Sequence, residues 1–288
     1  YRLHIISPKG LFVWAKSLIY EGISLMALLR FVAYFYPQRC AIIDDCQSLT
    51  YRELYTRTRQ LAQLLHIKYH LQPKMRVALI GRNSLPLTIL LHALSRLGIH
   101  TTLLSTDLGT EQITAALQKH HYHLFIYDED LKQIPTETPC MAVTTEALSD
   151  ILISKEAQTR DLKLPKIWRG GEITIHSGGT SGNFKSIARR PSVTSFLPPL
   201  LALLHNIRIY QYKSVLISLP FYHGFGLSTL IISLLMGKKV YLQKHFDAIK
   251  TLEIIQREQI EVIPIVPAML ARFWQIENAK EKMKSLRC

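Results

Sequence analysis

This 288-residue chain has only four cysteines, Cys40, Cys46, Cys140 and Cys288. They are too few and too scattered for a disulfide scaffold, and no Cys/His spacing matches a zinc site. A reducing, cytoplasmic setting is the expectation. Glycine and proline, 13 of each, are too sparse for a collagen-like or low-complexity chain, and 48% hydrophobic content excludes a disordered one. No block of five or more Lys/Arg forms a basic tail, and no recognisable motif points to nucleic acid as a partner. No internal repeat is visible. The chain opens on Tyr1 in place of Met, so its start is silent about a leader.

Long uninterrupted hydrophobic runs are scarce too. Residues 11–36 are apolar but carry Lys16, Glu21 and Arg30, so Leu18 to Phe35 is predicted to be an amphipathic helix lying on a domain. Residues 214–237 hold no charge between Lys213 and Lys238, which is spanning length. Pro220, His223, Gly224 and Gly226 sit near the middle, however, where a single helix would lose backbone hydrogen bonds. A buried strand (Val215–Leu219), a turn and a buried helix (Gly226–Met236) is the expectation there.

Charge, by contrast, is plentiful and uneven. The net value is +14; residues 1–160 carry 17 basic and 13 acidic side chains, residues 161–288 carry 18 and 8, leaving +4 and +10. The second half is therefore the one expected to meet anions.

Short apolar runs alternate with amphipathic helices. Thr50 and Glu53 form a capping-box signature opening a helix through about Ile67. Strands are predicted at 76–80, 100–104, 123–127, near Met141, and at 172–176, 214–219, 238–242 and 261–265. Helices are predicted at 84–97, 110–120, 192–205, 226–236, 247–258 and from Pro267. The fold class is α/β, as two βα subdomains (1–165 and 166–288) with largely parallel sheets flanked by helices. Ligands in such folds sit beyond the carboxyl ends of the strands.

The segment with most chemistry is Ser177, Gly178, Gly179, Thr180, Ser181 and Gly182, followed by Lys185, at the end of a β-type run ending in His176. Glycines let a backbone approach a bulky anion, and successive N–H groups and hydroxyls can donate to phosphate oxygens. The spacing is not that of a Walker loop. Three other clusters have plainer roles. His120, His121 and His123 read as a polar loop and not a metal site. Asp44–Asp45 and Asp128–Asp130 read as turns or caps. Met269, Leu270, Phe273 and Trp274 read as core.

The glycine-rich segment resembles the Thr-Ser-Gly-Thr-Thr-Gly-x-Pro-Lys-Gly signature of the AMP-forming acyl-CoA synthetase superfamily. Gly179, Thr180, Gly182 and Lys185 match, while Phe184 stands for the usual Pro and Ser186 for the usual Gly. Other pieces follow in the family's order: Leu49–Leu54, Arg76–Leu79, Arg82–Ser84, Leu219–Gly226, Phe246–Asp247 and Val266–Leu270. The resemblance spans roughly 24–275, and Arg189-Arg190-Pro191 looks most like bacterial medium- or long-chain fatty acid CoA ligases.

That resemblance implies ATP and Mg²⁺ as cofactors and CoA as co-substrate. Gly179 to Gly182 would wrap the phosphates, Thr180 would contact Mg²⁺, and Lys185 would neutralise the departing pyrophosphate. Phe221, Tyr222, His223, Gly224 and Phe225 would line the acyl and adenylate pocket. The family's ribose-binding Thr-Gly-Asp, its Tyr-Gly-x-Thr-Glu and its adenylating Lys have no counterpart here. A fragment or truncated paralogue, inactive alone, is therefore expected. The alternatives are an adenylation domain for another carboxylic acid, or a non-enzymatic basic module on an anionic membrane surface or protein.

Overall fold

The computed structural model describes residues 7–153, 164–176, 186–189 and 208–288. In chain order its elements are α1 (Pro8–Glu21), α2 (Leu25–Phe35), β1 (Cys40–Ile43), β2 (Ser48–Thr50), α3 (Tyr51–Lys68), β3 (Arg76–Ile80), α4 (Leu85–Arg96), β4 (His100–Leu104), α5 (Thr110–Lys119), β5 (Leu124–Tyr127), β6 (Met141–Thr144) and α6 (Thr145–Ile153). They continue with β7 (Ile173–His176), β8 (Ser186–Arg189), β9 (Ser214–Ile217), α7 (Gly224–Leu235), β10 (Lys239–Leu242), α8 (Ala248–Glu258), α9 (Pro267–Phe273) and α10 (Ala279–Lys282).

Two sheets form. One has the order β6-β5-β3-β4-β7-β8 and is parallel apart from β8; the other has the order β2-β1-β10-β9 and is parallel apart from β2. Strand alternation sorts side chains into three cores. Val77 and Leu79 of β3, with Val215 and Ile217 of β9, face a shared helix layer between the sheets. Ala78 and Ile80 turn the other way, onto α5. Leu216 and Tyr241 turn outward onto α8 and Phe273 of α9. α4 lies in the shared layer and is buried on every side, as its nearly continuous apolar run requires.

Local signals realise most of the predicted elements. The capping box opens α3, with Thr50 N donating to Glu53 Oε2 at 2.8 Å and Glu53 N to Thr50 Oγ1 at 3.3 Å. Gly98 takes the left-handed backbone (φ +71°) just past α4, as a helix stop should.

Several expectations are corrected. Leu18–Phe35 is not one helix: Gly22 (φ +67°) separates α1 from α2, and a Cβ there would lie 2.7 Å from Ile167 O. The expected strand 261–265 is a single bridge, Val215 to Val262. α6 is a helix absent from the predicted elements, and Trp274 is exposed although helical spacing placed it in the core. The tail folds back, with Arg287 N donating to Glu261 O at 2.8 Å. The expected helix at 192–205 lies outside the described residues. A boundary at 165 does not divide the sheets, because β7 and β8 complete the first sheet while β1 and β2 complete the second. No helix among the described residues is long and apolar enough to cross a membrane.

A buried ion pair fixes α1 to this frame. Glu21 accepts from Arg96 Nε at 2.7 Å and from the Tyr55 hydroxyl at 2.7 Å. Burial, with the Glu21 charge beside it, pushes the Tyr55 phenol up to about 12.

Candidate functional site

In the six-stranded sheet the chain steps from β3 to β4 on one side and then crosses back to β5 on the other, so the switch point lies between β3 and β5. The carboxyl ends flanking such a point open a crevice. Here β3 and β5 lead into Gly81-Arg82-Asn83 and Asp128-Glu129-Asp130, while β4, on the other side of β3, leads into Ser105-Thr106-Asp107.

Asn83 is buried and joins the two sheets. Its Nδ2 donates to Leu219 O at 2.8 Å and its Oδ1 accepts from Phe221 N at 3.0 Å. These two groups bracket Pro220, which has no N–H of its own, so one side-chain amide satisfies the backbone on both sides of the proline. His223 N closes the turn onto Pro220 O at 3.0 Å. α7 then leaves so tightly that a Cβ on Gly226 would sit 2.4 Å from Pro220 O. Glycine is needed there by close approach.

A second link crosses between the sheets one residue later. Thr106 Oγ1 donates to the Tyr222 hydroxyl at 3.1 Å, and that hydroxyl donates to Asp107 Oδ2 at 3.2 Å. Ser105 Oγ also donates to Asp107 Oδ2 at 3.1 Å, which holds the carboxylate in place. Burial, helped by the Asp107 charge and opposed by the Thr106 hydrogen bond, lifts the Tyr222 phenol above its ordinary range.

The predicted pocket residues therefore divide. Phe221 is 1% exposed and packs into the shared core, and Tyr222 is buried. His223 is exposed, N-caps α7 with extended backbone, and stacks at 4.7 Å on Tyr222; Gly224 starts the helix and Phe225 is exposed. An alternating apolar run does not reveal which aromatic of Phe221-Tyr222-His223 faces inward. The Pro220 turn decides it.

Ser177, Gly178, Gly179, Thr180, Ser181, Gly182 and Lys185 lie outside the described residues, but both strands that lead into them are placed. β7 and β8 are antiparallel neighbours, with His176 opposite Ser186. On its other side His176 lies beside Leu104, the residue before Ser105. The segment thus departs from the sheet next to the strand end that holds Tyr222.

Around the rim, Asp128 at the end of β5 accepts from Arg82 N at 2.7 Å and from the Thr145 hydroxyl at 2.8 Å. Burial raises its carboxyl above the usual range. Arg82 Nη1 pairs with Asp130 at 2.5 Å, and Asp44 Oδ2 accepts from Leu85 N at 2.9 Å. Asp44 serves its own turn, accepting from Cys46 N and Gln47 N, whereas the Asp128 and Asp130 carboxylates are not turn or cap groups but bridge to Arg82 and Thr145. His120 and His123 turn towards Arg76, and among the described residues no group of three or more His, Cys, Asp or Glu converges for a metal. Asn83, Thr106 and Asp107 are the positions whose roles spacing did not reveal. The signal that could have found them is a polar run directly after each predicted strand end.

Fold and strand ends together define an α/β protein of largely parallel sheets, joined at their carboxyl ends through Asn83 and Tyr222. The chain belongs to the AMP-binding enzyme family, whose model matches residues 29–288. Among its relatives is a 2-succinylbenzoate–CoA ligase of Listeria monocytogenes, 26% identical over 243 residues, covering 84% of this chain and 50% of that one. The o-succinylbenzoate CoA synthetase (MenE) of Bacillus subtilis, solved with ATP and a magnesium ion, superposes with a TM-score of 0.76 at 22% identity, covering 91% of this chain and 53% of that one. The N-terminal domain of FACL13 from Mycobacterium tuberculosis, solved with an inhibitor, gives 0.77 at 21% identity, covering 92% and 68%. The chain spans about half the length of the curated relatives it matches. Those relatives are named for 2-succinylbenzoate, in place of the fatty acids suggested by Arg189-Arg190-Pro191.

Proposed function

We propose that these 288 residues supply the phosphate-gripping part of the site of an AMP-forming acid–CoA ligase. The observation that carries this is the departure of Ser177–Lys185 from His176, beside the Leu104 strand end whose Thr106 and Asp107 hold Tyr222. In the reaction, a substrate carboxylate attacks the α-phosphorus of ATP. An acyl–phosphate bond forms, the α–β anhydride bond breaks, and pyrophosphate leaves. The CoA thiol, losing its proton, then attacks the acyl carbon and AMP departs.

The first step brings two anions together, so donors aimed at the phosphates must offset the repulsion. Backbone N–H groups of Gly179–Gly182 and the hydroxyls of Ser177, Thr180 and Ser181 take that role, with Thr180 the contact to Mg²⁺ and Lys185 the charge that follows the leaving pyrophosphate. The acyl side is assigned to His223, Gly224 and Phe225, the part of the turn that is open. The substrate is an organic carboxylic acid; a 2-succinylbenzoate-type aromatic acid is the first to test and a fatty acid the second.

Titration of the chain with ATP and Mg²⁺ tests the loop assignment. Lys185→Ala is expected to weaken binding about tenfold, the worth of one hydrogen bond to a charged group. An unchanged affinity would overturn the assignment. ATP–pyrophosphate exchange with the two acids in parallel tests the substrate class, and stimulation by the fatty acid alone would reverse the order given above. The complete reaction is proposed for the family's full architecture.

A further inference from the structure

α1 leaves much of its apolar surface outside. A surface helix normally buries large apolar side chains and shows polar ones to water. Here the fully buried positions are Gly10, Val13, Ser17 and Glu21, with Trp14 half-buried edge-on against Phe31. The outward positions include Leu11, Phe12, Ile19 and Tyr20, with Ile19 79% exposed. The face does not stop at the helix end: Ile23 is exposed, and its N–H donates to Trp168 O at 3.0 Å, placing alongside it a tryptophan that is 86% exposed. Contiguous exposed apolar surface of this kind marks an interaction site.

The charges say what kind. Neither α1 nor α2 has an acidic residue except Glu21, which is buried and held by Arg96 and Tyr55. The charges left outside on α1 are Lys9 and Lys16, and each ammonium lies over an aromatic ring, Lys9 at 5.7 Å from Tyr34 and Lys16 at 4.6 Å from Phe12. Lys166 and Arg169 flank Trp168 and are exposed. Large apolar side chains, a Trp/Tyr fringe and cations on long stems make the pattern that seats a helix in the headgroup region of an acidic bilayer.

We infer that the outer face of α1, continued by Ile23 and Trp168, docks on an anionic lipid surface. The inference is independent of the ligase proposal, and either can fail without the other. Vesicle flotation of the chain tests it, using mixed phosphatidylglycerol/phosphatidylcholine vesicles against pure phosphatidylcholine at low and high salt. Flotation is expected with the mixed vesicles at low salt, and about tenfold less with pure phosphatidylcholine or at high salt. The double change Phe12→Ser/Ile19→Ser should lower binding about tenfold with an unchanged melting curve, since both side chains are already in water. Ile249→Ser, an equally exposed change on α8, should leave it intact.

Wild-type flotation retained by the double variant would overturn the inference, because the spread positive charge would then suffice. So would absence of flotation from every vesicle. So would a chain that self-associates through this face, seen as dimers that Phe12→Ser/Ile19→Ser turns into monomers without any vesicle binding.

Discussion

The two sheets finish their strands in opposite ways. Beyond β9, every turn of the chain from Leu219 to His223 is tied down: Asn83 holds both sides of Pro220, Tyr222 is anchored to Thr106 and Asp107, and Gly226 lets the helix close over the proline carbonyl. Beyond β7, the chain enters a segment with three glycines in six residues, secured on either side by the pairing of His176 with Leu104 and Ser186. One exit is built from restraint, and the other leads into a sequence whose glycines permit backbone conformations closed to other residues. A site that must grip a substrate while its charge redistributes has use for both: fixed walls for position, and glycines that let a backbone approach an anion.

The sharpest way to break this contrast is Asn83→Leu. It removes one donor and one acceptor together and strands Leu219 O and Phe221 N in the interior, at a cost of about 2–4 kcal/mol. Urea denaturation should show the loss, and a wild-type midpoint would mean that the turn holds itself. Gly226→Ala comes next. Its new methyl must displace the Pro220 carbonyl, costing about 1–3 kcal/mol by the same measurement. Tyr222→Phe is the mildest, at about 1 kcal/mol, because Asp107 keeps its bond from Ser105. Mixing in a change to the other exit sharpens the comparison: Lys185→Ala should leave all three midpoints where they were while it weakens ATP.

Much of this architecture could be read in advance because its signals are local. The capping pair Thr50/Glu53, the stop at Gly98 and the short, largely buried runs of β3 and β4 each act within a few residues. The glycine-rich segment was legible for the same reason. What escaped depends on partners far along the chain. β1 is a four-residue run with no strong alternation of its own, and becomes a strand by pairing with β10. β2 exists as its antiparallel neighbour. Asn83 looked like a turn residue after a strand, and nothing near it announces Leu219 and Phe221 as its acceptor and donor. Gly22 gave a local hint, but whether a glycine in an apolar stretch bends or merely weakens a helix was settled by Ile167, against which no side chain fits. Residues 261–265 err the other way: their apolar pattern suits a strand on the open edge of β9, yet they make one bridge there, and Pro264 has no N–H to extend it.

The pairing of Ile42 with Val240 carries a consequence for how the molecule comes into being. A chain emerging from a ribosome presents β1 early and its neighbour very late, so this hydrophobic edge waits unzipped through most of translation. Contacts that remote in sequence slow folding and leave the nascent chain vulnerable to sticking. The second sheet should therefore be the last part to consolidate, and a chaperone acting on this protein should be found on its amino-terminal third.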